Sequence, residues 1–95
     1  MNYDHMRHYA RGWLFHFFGK ENVAYAAYVD AHRAAPRDTR AARHLAAIAA
    51  GRKQWAEAES WFEQVLAIDA QDESSWFNLG FVREHAGKAA AALDA

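Results

Sequence analysis

Few side chains in this chain are placed to do covalent chemistry. Its hydroxyl nucleophiles are Thr39, Ser60, Ser74 and Ser75, and each falls at a helix surface or helix start with no acid/base pair set to converge on it. No glycine-rich phosphate loop is present. There is no cysteine, which removes thiolate catalysis, disulfides and every cysteine-containing zinc pattern, and fits a reducing compartment, the cytoplasm by default. Asp4, His5 and His8 stand at helical spacings and could share a metal ion. A lone His-x-x-His is weak evidence, however, and histidines near a terminus need no metal. No catalytic activity, metal or other cofactor is expected.

Charge narrows the partner class. Arg37, Arg40, Arg43, Arg52 and Lys53 cluster near aromatic residues, a composition used to hold nucleic acid. The formal net charge of −1 argues against that use. So does the distribution: residues 1–53 hold nine Lys/Arg and four Asp/Glu, a net +5, whereas residues 54–95 hold two and eight, a net −6. Such a dipole steers anionic partners or favours head-to-tail association, unless the charges are ordinary solvated faces. The apolar run from Trp13 to Phe18, interrupted by His16, is too short for a signal-peptide core or a membrane span. A soluble, uncleaved chain with no membrane partner is expected. Eight arginines against three lysines, with abundant alanine, fit a bacterial source.

The elements that carry these residues read as helices. Ninety-five residues, 53% of them hydrophobic, with one proline and five glycines, suit one small helical domain of modest stability. A first helix over about 3–18 ends at Gly19, suited to a left-handed cap, and a second over about 21–34 stops before Pro36. Asp38 is the N-cap of a third helix that runs to about Ala50 and breaks at Gly51. The fourth, over about 54–68, places Trp55, Ala58, Phe62, Val65 and Leu66 on one side, away from Glu57, Glu59 and Glu63, an amphipathic pattern with its core on the first set. Asp72 caps a fifth helix to about Ala86, which Gly87 should end. The remaining residues 88–95 fall below the length, about 12–15 residues, at which an isolated helix is marginal.

The chain therefore divides without linkers into units 5–38, 39–72 and a partial 73–95, with starts 34 residues apart. Trp76-x-x-Leu79-Gly80, Ala58-x-x-x-Phe62, Gly12-x-x-Phe15, Ala24-x-x-x-Tyr28 and the closing Pro36, at that period, resemble the tetratricopeptide repeat. His8, Arg11, Arg83 and Ala70 depart from the pattern. The resemblance implies an all-α fold, a right-handed α-solenoid of antiparallel helix pairs holding about 2.5 repeats in a single domain over 1–95. It implies a protein-binding scaffold, with the basic and acidic halves at opposite ends of the stack.

On the first helix, His8, Gly12 and Phe15 share one face, while Met6, Tyr9, Trp13 and Phe17 form a stripe on a roughly opposite one. In proteins similar to this one the second stripe of successive first helices lines a concave groove. The resemblance thus points to Tyr9, Trp13, Phe17, Arg40, Arg43, Ala47, Phe77 and Phe81: aromatic walls, a low floor at Ala47 and arginines at the mouth. Aromatic side chains bury about 150–250 Å² each, so several exposed together form the kind of patch that marks an interaction site. The expected partner is a protein or peptide. The positions matching a chaperone carboxylate clamp, Tyr9, Trp13, His44, Ser74 and Asn78, lack its cationic residues. The competing expectation is a self-associating module, through an uncapped C-terminal edge, or a secretion-type chaperone by analogy of fold.

Overall fold

A computed structural model describes residues 4–94. It contains five helices, α1 Asp4–Phe17, α2 Glu21–Ala34, α3 Thr39–Gly51, α4 Trp55–Ile68 and α5 Glu73–Asp94, and the described residues contain no strand. The expected start of α1 at Tyr3 lies outside the described residues. Consecutive helices pack on each other, α1 on α2, α2 on α3, α3 on α4 and α4 on α5, giving an elongated body of 52 × 30 × 17 Å. None of the helices is long and apolar enough to cross a membrane.

The turns follow from local hydrogen bonding. After α1, Gly19 takes φ 75°, its N–H donates to the His16 carbonyl and that of Lys20 to Phe15. After α3, Lys53 takes φ 61°, its N–H donates to Ala50 and that of Gln54 to Ala49. Both are Schellman caps, which satisfy the orphan carbonyls of a helix end. The longer turns also match: Ala35 N–H bonds Ala31 and Asp38 bonds Ala35, as Asp69 bonds Val65 and Asp72 bonds Asp69. Asp38 caps α3 by accepting from the Arg40 N–H at 3.0 Å. Asp72 caps α5, accepting from the N–H and the hydroxyl of Ser75 at 3.2 and 3.1 Å.

Two apolar clusters make the core. Ala24, Tyr28 and Ala31 of α2 meet Ala41, Leu45 and Ile48 of α3; Ala46 and Ala49 of α3 meet Ala58, Phe62 and Leu66 of α4 and Leu79 and Val82 of α5. Trp61 packs against both clusters and donates its indole N–H to the Tyr25 hydroxyl at 2.8 Å. The small residues of α3 let α2 and α4 approach it closely, which is why this central helix has buried positions all along its length. The α4 face expected to be core is core: Ala58, Phe62, Val65 and Leu66 are buried, with Trp55 packed against them.

The expected break at Gly87 is overturned. Helix α5 runs unbroken through Gly87 to Asp94, so residues 88–94 prolong a helix that already exists. An extension adds a hydrogen bond per residue without a new nucleus, and alanines at 89–92 are the best residues for it.

Candidate functional site

Tyr9 is the hinge between the core and the surface of α1. Its ring meets Tyr28 edge-on, with centroids 5.7 Å apart, and His44 likewise at 5.5 Å, and its hydroxyl shares a hydrogen bond with His44 Nε2 at 2.9 Å, the donor set by the imidazole tautomer. His44 in turn stacks flat on Tyr28, centroids 4.7 Å apart and planes within 3°. Burial, then the neighbouring His16 and Arg43, push the His44 pKa below its ordinary value, favouring the neutral imidazole. Tyr28 is pushed up to about 12 by burial and by Tyr9.

One turn further along α1, Trp13 and Phe17 stack at 5.7 Å, the i, i+4 spacing that brings helix side chains together. They are 55% and 71% exposed. Arg40 lies over the Tyr9 ring at 5.3 Å and grips Asp38, with 2.6 Å from Nη2 to Oδ2; this bonding holds the Asp38 carboxyl at about 2. Arg43 reaches Asp72 at 3.2 Å and donates to the Thr39 hydroxyl at 2.6 Å. The two arginines are thus each joined to an N-cap aspartate, and Arg52 of the same basic cluster pairs with Glu21.

Three adjoining hollows run across this face. Tyr9, Arg40, Arg43, His44 and Ala47 line one. Trp13, His16, Phe17 and His44 line the next, and Ala47, Ala50, Phe62, Asn78, Phe81 and Val82 the third. Ala47 and His44 are the shared walls. Phe81, 48% exposed, rests against His85 at 4.2 Å, and His85 stacks on Trp55 at 5.5 Å. Seven of the eight residues expected at the groove therefore line these three hollows. Phe77 lines a further hollow with Trp76, Gly80, Phe81 and Glu84, which shares Phe81 with the third. Among the described residues no group of three His, Asp or Glu side chains gathers as a metal site would.

No protein-family model matches this chain, and no curated protein matches it in sequence.

His16 also belongs to this surface and was not assigned to it from the sequence, whereas His44 and Asn78 stood only among the positions matching a carboxylate clamp. The buried hydroxyls of Thr39 and Ser75 are both occupied by the bonds already described.

Proposed function

We propose that the chain is a right-handed helical solenoid of the tetratricopeptide type that binds a segment of another protein along the face from Trp13 and Phe17, over His44 and Ala47, to Phe81. The observation that carries this reading is the continuity of the three hollows with exposed aromatics at both ends. The 34-residue recurrence of turn hydrogen bonds supports the repeat reading. With Arg40 and Arg43 each holding an aspartate, the partner segment is best matched by apolar and aromatic side chains that displace water from Trp13, Phe17 and Phe81. His44, which lines two of the hollows, is held toward its neutral form by burial. The cysteine-free composition suits work in the cytoplasm.

The test is selection of binders from a displayed random-peptide library, followed by affinity measurement on Trp13→Ala and Phe81→Ala. Both side chains are about half exposed, so stability should change by less than about 1 kcal/mol while binding weakens at least about tenfold. Loss of several kcal/mol of stability in either variant, or binders indifferent to both, would sink the reading.

A further inference from the structure

The two junctions of this stack are built from different chemistry. At α5 the polar links are arginine–carboxylate pairs: Arg83 with Glu59 and Glu63 of α4, and Arg43 of α3 with Asp72 at the head of α5. Between the α1–α2 hairpin and the helices that follow, histidines stand at the contacts. His44 of α3 stacks on Tyr28 of α2 and shares a hydrogen bond with Tyr9 of α1. Further along α2, His32 meets the Trp61 ring of α4 edge-on at 5.5 Å, and its Nδ1 is buried with no hydrogen-bond partner.

Mild acid acts on these two contacts first, because free imidazoles titrate at about 6.5 and free carboxylates at about 4. A charged His32 carries a proton on Nδ1, where no acceptor is in place. Its ring partner Trp61 donates to Tyr25, which reaches Glu57 at 3.5 Å, and the residues one turn away on α2 include Tyr28 but no formal charge. A charged His44 faces His16 of α1 and Arg43 of its own helix, which together with burial disfavour that charge, and it lies against two neutral tyrosines. The cap carboxylates Asp38 and Asp72 are already engaged by Arg40 and Arg43. Five of the six histidines, His5, His8, His16, His32 and His44, fall in the half of the chain with the basic excess, so acid adds like charge to the parts that meet here.

We propose that the α1–α2 hairpin is an acid-operated flap, which swings about α2 when His32 and His44 take up protons while α3, α4 and α5 stay packed. Helix α2 is tethered at both ends: Arg52 holds Glu21 and Asn22 at its start, and the turn through Pro36 joins its end to α3. Helix α1 packs on α2 and touches α3 only sparsely. Rotation about α2 lifts Tyr9 off His44 and His32 off Trp61, a local opening that leaves each helix intact. The two hollows that α1 and α3 build jointly around His44 come apart with it.

Spin-label distances test this, since the chain has no cysteine of its own. One pair, Ala10→Cys on α1 with Gln64→Cys on α4, spans the histidine junction; the other, Gln64→Cys with Glu84→Cys, spans α4 and α5, and all three positions are exposed. As pH falls from about 7.5 to about 5, the first distance should lengthen and broaden reversibly, while the second distance and the helical circular dichroism stay unchanged. His44→Gln and His32→Gln should each move the opening to lower pH, and the double variant should stay closed throughout this range. A first distance that does not change, both distances changing together with loss of helix, or opening of the variants at the pH of the parent chain would each overturn the proposal.

Discussion

Gly12 and the ring of Tyr28 share one space: a Cβ on Gly12 would stand 2.7 Å from Cδ1 and Cε1 of the tyrosine. The ring cannot yield easily, because His44 stacks on one side of it and Tyr9 meets it edge-on. Gly12→Ala should therefore destabilise the protein by about 1–3 kcal/mol through overpacking, despite the roughly 1 kcal/mol that alanine gains over glycine in a helix. Gly80→Ala, which meets open space, should stabilise by up to about 1 kcal/mol. Urea unfolding of the two variants should shift midpoints in opposite directions.

The paired turns give a second contrast. Lys53 holds φ 61° and Gly19 φ 75°, a region that costs residues with a Cβ about 1–2 kcal/mol. Lys53→Gly should stabilise by about 1 kcal/mol and Gly19→Ala should destabilise by a similar amount, read from thermal melts. Equal effects of the same sign would contradict the turn geometry.

The Tyr28 hydroxyl is buried without a hydrogen-bond partner. Tyr28→Phe removes that unsatisfied group and should leave stability unchanged or raise it by about 1 kcal/mol. Because the folded pKa is raised to about 12, the folded state keeps its proton where the unfolded chain, near 10, loses it. Stability should be full below pH 10 and decline from there toward 12, and alkaline unfolding of the phenylalanine variant should lack this component.

Asp38 acts in the opposite range. Its carboxylate caps α3 and holds Arg40, and its pKa falls from 3.8 to about 2. The resulting stability is present above pH 3.8 and is lost as pH falls toward 2. Asp38→Ala should cost about 1 kcal/mol at neutral pH. Asp38→Asn should keep most of the cap and lose the acid-dependent part, measured as a flatter stability curve between pH 4 and 2.

His44 sets a third window. Its pKa is lowered in the folded state, so its contribution is present above the unfolded value of about 6.5 and is lost as pH falls through the lower folded value. His44→Gln should remove this loss, and a proton NMR titration of the ring should give a midpoint below 6.5; a midpoint above it would exclude the buried neutral state.

Helix positions were legible because their causes lie within a few residues. Asp38 and Asp72 cap as their side chains and positions imply, Gly19 turns as a residue free at positive φ should, and the α4 pattern of Trp55, Ala58, Phe62, Val65 and Leu66 buries the face it marks. What joined Arg43 to Asp72 was less legible. Nothing in local spacing states that an arginine from one helix will reach the aspartate that caps another.

Taken alone, the amino-acid order determined where helices start, which faces are apolar and that turns recur at a 34-residue interval, because capping, backbone sterics and periodicity act over one or two helical turns. Tertiary structure decided two things: that Tyr9 is tied to His44 and Tyr28, and that Gly87 continues a helix instead of turning. Gly87 shows the reason most clearly. A glycine permits both outcomes, and the choice rests on whether residues 88–94 gain more by prolonging α5 or by folding back onto Trp76 and Gly80, a balance of contacts between groups far apart along the chain.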